Sequence, residues 1–431
     1  MLKIAIVHYH LNPGGVTRII QSQIQSLKSD TTKIKIICGF CPDPEQYRQA
    51  GIELIINNEL NYIYPESVSA DKLSHIYKSL NDFFRKVIDK DEIIHFHNLN
   101  LAKNPVVTKV ISDMASEGYF IVNHAHDFAE DRPKNLDFLN KIIKGHFKSD
   151  LQSVLYPNLK NYLFVVLNSY DFKRIEKFAI NIERRFLLPN PVGHIQENQL
   201  HQKESFASKI IQILNLEPGK KIIIYPVRVI QRKNIGEFIL LSTLFKNEAH
   251  WLVTLPPKNP FEIKFYEKWK KFCHKERIPV HFEVGLSVEF TDLMYASDFC
   301  VTTSIREGFG MAFIEPWLFG TPVVGRDIPY ITEDLEKSGM NFPRLYQNLH
   351  IENGIKDFID LTIEDQMEYV HKVNRSDVKK QNLMTMNPIL KNLLQPIGNE
   401  IISNNVKTIK ENYSIEKYTE RLNAIYQTFF K

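Results

Sequence analysis

At 431 residues the chain is too long for one compact core, and 43% hydrophobic with 24% charged content excludes a disordered or fibrous chain. A formal net charge of +4 is too small to argue for nucleic acid and suits a protein that handles anionic metabolites. Four cysteines exclude a disulfide framework and no apolar run is long enough to span a bilayer, so a cytoplasmic protein is expected.

The first half alternates short β-branched strands with amphipathic segments, the pattern of parallel α/β folds. Met1–Val7 lacks a small-residue cleavage site after an apolar stretch, and Lys3–His8 reads as strand one. The loop Asn12-Pro13-Gly14-Gly15 then opens a helix over Val16–Leu27. It is neither a dinucleotide fingerprint nor a P-loop, but Gly14 and Gly15 permit close approach of a diphosphate or sugar. Further strands are expected at Lys33–Cys38, Ile52–Ile56, Glu92–Phe96, Tyr119–Asn123, Leu163–Leu167 and Phe186–Leu188. Helices are expected at Ala70–Val87, Lys103–Ser116 and Tyr170–Phe178. Phe138–Val154 reads as a basic amphipathic helix with Lys141, Lys144, His146 and Lys148 opposite Leu139, Ile142, Ile143 and Phe147. It suits a surface helix, or peripheral contact with the inner membrane face. Cys38 and Cys41 read as buried cysteines at a strand end.

Leu188-Pro189-Asn190-Pro191-Val192-Gly193 breaks this pattern, and the polar stretch to about Ser205 resembles a linker. After a helix at Phe206–Leu214, strands follow at Lys221–Val227, Trp251–Thr254, His281–Val284, Phe299–Thr302 and Val323–Val324. The spacing from Leu335 to Asn405 gives only short helices and asparagine-rich turns, and Ser414–Phe430 closes the chain as an amphipathic helix. The expected domains are 1–190, 191–410 and a terminal helix 411–431 that returns to the first. Two doubly wound domains predict a ligand in a cleft at the carboxyl ends of their strands.

Three further places carry candidate chemistry. In Glu307-Gly308-Phe309-Gly310-Met311-Ala312-Phe313-Ile314-Glu315, a strand enters a glycine loop and then a helix, whose unpaired N–H groups suit an anion. Carboxylates there are acceptors suited to vicinal hydroxyls, so phosphate and diols together point to a sugar nucleotide. Arg228 and Lys233, with Arg232 between them, follow the strand Lys221–Val227 and can neutralise a diphosphate. His126, in Asn123-His124-Ala125-His126-Asp127, follows a third strand and suits a hydrogen bond to substrate, with His95 and His97 structural. His-x-His pairs can bind zinc, but the further ligands of a metal hydrolase barrel are not evident and no metal site is expected.

Together these stretches resemble glycosyltransferase family 4, the group 1 glycosyltransferases, which are retaining enzymes with two Rossmann-like domains in the B-type fold. The match rests on Glu307, seven residues, Glu315, followed by Gly320-Thr321-Pro322-Val323-Val324. Arg228 and Lys233 have the spacing of the family's Arg and Lys, and Asn12 to Gly15 looks like its N-terminal glycine loop. The resemblance implies transfer of a hexose from a UDP-, GDP- or ADP-sugar to a hydroxyl of a glycan, lipid or small molecule, with no permanently bound cofactor. By it, Glu307 lies against the donor sugar, Glu315 holds the ribose, and Arg228 and Lys233 bind the diphosphate. Amides around Gly14, Gly15, Gly308, Phe309, Gly310 and Met311 assist, and His126 sits near the transferred sugar. With no Asp-x-Asp clamp standing out, a metal-independent reaction is expected. A nucleotide-sugar epimerase or hydrolase, or a non-catalytic sensor, are the alternatives on the same fold. Val227 and Asn234 replace two family glycines, Pro316 should kink or shorten its helix, and Asp327–Asp334 replaces a glycine-rich stretch.

Overall fold

Runs of isoleucine and valine buried on both faces make parallel strands, because crossover helices cover each side of the sheet. The computed structural model describes residues 1–64, 69–178, 184–193, 202–351 and 356–430. It divides into one unit of Met1–Gly193 with Tyr413–Lys431 and a second of His194–Asn412.

The first unit holds β1 (Leu2–His8), β2 (Thr32–Cys38), β3 (Glu53–Ile56), β4 (Ile93–His97), β5 (Phe120–Ala125), β6 (Tyr162–Val166) and β7 (Arg185–Leu187). They form one parallel sheet in the order β3-β2-β1-β4-β5-β6-β7. The order reverses beside β1, between β2 and β4, the switch at which open α/β sheets bind ligands. Helix α1 (Gly15–Leu27) buries Ile20, Ile24 and Leu27 in a layer shared with Tyr418, Leu422, Ile425 and Tyr426 of the terminal helix. Cys38 and Cys41 are buried and unbridged, and burial pushes the Cys38 thiol up to about 12.

The single basic helix expected at Phe138–Val154 is instead broken. A helix Pro133–Asn140 runs into a π-helical turn Lys141–His146, and Lys148 takes a left-handed φ of 54°. Asp150 then caps a new short helix Leu151–Leu155 through Ser153 N. A local side-chain cap competes with the helix ladder, and periodicity alone does not register it. Leu139, Ile142 and Ile143 lie in the core, so the apolar side is already covered. Among the described residues no helix is long and apolar enough to cross a membrane.

The second unit holds β8 (Lys221–Arg228), β9 (Ala249–Leu255), β10 (Val280–His281), β11 (Phe299–Thr302), β12 (Val323–Arg326) and β13 (Leu345–Tyr346). They make a parallel sheet in the order β10-β9-β8-β11-β12-β13. The strand expected to reach Val284 stops at His281, and Glu283 turns with a φ of 65° into a short 3-10 helix. Most of the expected linker lies outside the described residues. The stretch after Leu335 supplies helices Ile363–Asn374 and Asp377–Met386, whose Val370, Val373 and Leu383 complete the core over β8 and β9.

Candidate functional site

The site in the second unit is assembled at the carboxyl ends of β8 and β11. Arg228 ends β8, where the pairing with β9 is irregular from Tyr225 to Arg228, and donates from Nη1 to Pro256 O at 3.1 Å. A 3-10 turn, Gln231–Lys233, follows. Asn234, standing where a glycine was expected, has a φ of 51°, and asparagine is among the few residues that tolerate this left-handed conformation. Val227, at the other expected glycine, packs into the core. Both departures therefore leave the turn intact.

The loop after β11 is laced onto that turn. Ile305 N donates to Arg232 O at 3.0 Å, and Arg232 Nη1 donates to Arg306 O at 2.7 Å. Thr303 Oγ1 donates to the carbonyls of Lys233 and Asn234, each at 3.1 Å. The lacing brings Glu307 onto two cations: Arg232 at 2.7 Å, and Lys233 Nζ in direct contact. The Glu307 side chain is 8% exposed. Burial works to raise its carboxyl, but Lys233 and then Arg232 bring it below the usual carboxylate range, so it is ionised at neutral pH. Burial lowers Lys233 and the charge of Glu307 opposes that. Glu307 is thus a charged clamp on the cation expected to meet a diphosphate.

Tyr330 fixes the backbone of the same residue. Its hydroxyl accepts from Glu307 N at 2.9 Å and donates to Glu307 O at 2.8 Å. Tyr330 belongs to the stretch Asp327–Asp334 that departs from the family pattern, so the departure supplies a support for the loop. Gly310, with a φ of 84°, caps helix α2 (Met311–Leu318). A Cβ there would meet Ile331 Cγ2 at 2.6 Å, so glycine is required on two counts. Glu315, half-buried in α2, adds its charge to burial in pushing the Cys300 thiol up. Pro316 lies inside α2, and its carbonyl accepts from both Phe319 N and Thr321 N at 3.0 Å. Proline removes one ladder bond and its carbonyl closes the exit turn, so α2 is short and ends there.

A charged network holds the frame. Arg326, at the end of β12 and 2% exposed, donates to Glu237 from Nε and Nη2 and to Asp357 from Nη1 and Nη2, at 2.6–3.0 Å. Glu237 also accepts from Tyr346 Oη at 3.0 Å and from Asn234 Nδ2 at 2.9 Å. Arg326 therefore ties the turn carrying Lys233 to β12. No sequence motif marks it; a lone arginine ending an apolar strand is the only hint.

The remaining predicted residues belong to the first unit. Gly14 and Gly15 are exposed, neither takes a left-handed φ, and a Cβ on either would meet nothing closer than 3.8 Å. The fold itself does not require glycine at either position. His126 follows β5, with its N–H and that of Asp127 bonded to Asn98 Oδ1 at 2.7 and 3.0 Å. His8, His95, His97, His124 and His126 form a buried group over β1, β4 and β5. Ring nitrogens of His95, His97 and His124 lie within 4.8 Å of one another, a spacing that can hold a metal. Burial drives all five below the usual imidazole range, His8 to about 4 and His124 to about 3.

Residues 206–378, which contain the whole Lys233–Glu307 arrangement, match the family described as Glycosyl transferases group 1. A mannosylglucosyl-3-phosphoglycerate synthase of Petrotoga mobilis is 29% identical over 327 residues, covering 73% of this chain. The match spans 63% of that enzyme's length. A mannosylglucosylglycerate synthase of the same organism is 21% identical over 395 residues, covering 82% of this chain and 89% of that one. Among solved structures, sucrose-phosphate synthase from Thermosynechococcus elongatus has a TM-score of 0.63 at 13% identity, over 100% of this chain and 99% of that one. Anabaena HepE in complex with UDP-glucose has a TM-score of 0.63 at 14% identity, over 99% of this chain and 100% of that one. These likenesses are of fold: two parallel-sheet units of the B-type glycosyltransferase kind. With that fold, the stretch 206–378 that carries the clamped loop is similar to the group 1 glycosyl transferases.

Proposed function

We propose that the protein is a retaining hexosyltransferase using a nucleoside diphosphate sugar, with Lys233 and Arg228 on the diphosphate, Glu315 on the ribose and Glu307 beside the donor sugar. The observation that carries this is the Glu307 clamp on Lys233 and Arg232, held by Tyr330 at the entrance to α2. As the anomeric carbon–oxygen bond breaks, charge develops on the leaving diphosphate, and a preorganised cation there stabilises it. The departing phosphate oxygen takes the proton of the acceptor hydroxyl from the same face, so no metal and no protein base is needed. Gly14 and Gly15 leave backbone amides open to the donor, and His126 hydrogen-bonds a substrate hydroxyl.

The acceptor is a small anionic sugar or polyol acid. The names of the two Petrotoga relatives speak for this class. So do Lys103, whose ammonium is destabilised by burial and by nearby Arg132, and Arg132 itself, paired with Asp127 at 3.3 Å. Thermal-shift screening with UDP-, GDP- and ADP-sugars should give one donor that raises Tm by several degrees. Transfer to phosphoglycerate and glycerate glycosides, with and without EDTA, should then yield product of unchanged anomeric configuration. The absence of any nucleotide-induced shift would sink the reading, and rapid release of sugar without acceptor would replace it with hydrolysis.

A further inference from the structure

The buried histidines of the first unit are joined end to end by hydrogen bonds. His126 Nε2 lies 2.9 Å from His97 Nδ1, and His97 Nε2 lies 2.7 Å from Gln23 Oε1. Gln23 Nε2 donates to Tyr426 Oη at 2.9 Å, and that oxygen lies 2.8 Å from His95 Nδ1. His95 Nε2 lies 3.1 Å from His124 Nδ1, and His124 Nε2 is buried with no partner. We infer that this chain sets which ring nitrogen of His126 carries the proton, making His97, Gln23 and Tyr426 positioning residues for the substrate-facing end of His126. The inference rests on the substrate role proposed for His126.

The polarity follows from one residue. A glutamine side chain has one end that only accepts and one that only donates. Gln23 Oε1 faces His97 Nε2, so His97 carries its proton there and its Nδ1 is bare. His97 Nδ1 must then accept, and His126 supplies the proton from Nε2. His126 Nδ1, which has no hydrogen bond to any described residue, is left as a lone pair able to accept from a substrate hydroxyl. In the other direction the Gln23 amide fills one lone pair of Tyr426, whose own proton goes to His95 Nδ1. His95 then donates to His124, and the chain ends at the unpartnered His124 Nε2. Turning the Gln23 amide over would reverse every bond and put the His126 proton on Nδ1. Each ring is neutral, as burial requires, and a neutral imidazole has one proton to place.

Ring-nitrogen correlation spectra of the 15N-labelled full chain test this without reading activity, with His126 assigned from His126→Asn. The expected wild-type result is a His126 ring protonated at Nε2 and bare at Nδ1. In Gln23→Leu and, more conservatively, Tyr426→Phe, the polarity is lost and the His126 nitrogens should shift toward a mixture of tautomers, with methyl spectra showing an intact fold. A wild-type proton on Nδ1 would overturn the proposal, as would an unmoved His126 signal in both folded variants. One equivalent of zinc bound by His95, His97 and His124, measured by elemental analysis of the purified chain, would also overturn it. Because no transfer is measured, failure of the donor assay and failure of this test are separate results.

Discussion

The charged network of the second unit and the histidine group of the first bury polar side chains near their strand ends by opposite means. In the second unit, Glu307 meets Lys233 and Arg232, and Arg326 meets Glu237 and Asp357, so charge is answered by charge. In the first, five histidines, a glutamine and a tyrosine are buried without a formal charge among them. Ion pairs give a fixed electrostatic field, which suits a group that develops charge in a reaction. A neutral chain instead specifies where protons and lone pairs point, which suits recognition of hydroxyls. The two also respond differently to acid and to the loss of one member.

Acid should separate them most. Below pH 6.5 the unfolded chain protonates its histidines while the buried rings stay neutral, so the folded state binds fewer protons and stability falls as pH falls. Each such ring contributes up to about 1.4 kcal/mol per pH unit. Glu307, with its carboxyl held low, keeps its contribution until the pH drops below the ordinary carboxylate range. Amide protection factors, with the slower intrinsic exchange in acid divided out, should therefore fall between pH 7.5 and 5.5 in β4 and β5 before β11 and β12. An equal fall in both sheets would erase the distinction.

Arg326→Met should cost about 3–5 kcal/mol, since it leaves Glu237 and Asp357 buried without their cation. Urea unfolding monitored in each unit should show the loss in the second. Next comes Lys233→Ala, expected to lower turnover about 10²–10³-fold, in keeping with removal of one preorganised contact. Near-normal turnover would detach Lys233 from the chemistry, and Arg228→Ala tests the other cation in the same assay. Glu315→Ala should mainly weaken free-nucleotide affinity while Glu307→Ala mainly lowers turnover; equal affinities in the two variants would refute that division. Pro316→Ala is the mildest, within about 1 kcal/mol in unfolding experiments, because α2 ends at that residue's carbonyl turn whether or not the ladder bond is restored.

Much of the scaffold was legible because parallel strands announce themselves as short apolar runs. Phe299–Thr302 and Ala70–Val87 fall where periodicity puts them. The break at Lys148 was not, since it depends on a local cap rather than on spacing. In the site, Glu307, Gly310 and Lys233 were readable as a glycine loop flanked by charges. Their mutual pairing was not, because 74 residues separate Lys233 from Glu307 and only the sheet order joins them. Tyr330 and Gln23 carry no signal of their own, Arg326 only that of a lone arginine ending an apolar strand, and Tyr426 only that of an apolar helix face. Each is an ordinary residue of a helix or strand whose partner lies far along the chain. Asn234 departs from the family's glycine, yet it takes the left-handed turn a glycine would take.

Tyr426 lies 403 positions after Gln23 and 331 after His95, yet its hydroxyl joins the two in the first unit. During synthesis, strands β1 to β7 leave the ribosome long before that hydroxyl does. The first unit must therefore wait, with Gln23 and His95 lacking that partner, until the whole second unit has been made. A product truncated before Tyr426 would keep every residue of the Glu307 clamp and still lack the group that completes the histidine chain. Helix Ile415–Gln427 thus makes the order of the first unit conditional on synthesis having passed the whole of the second.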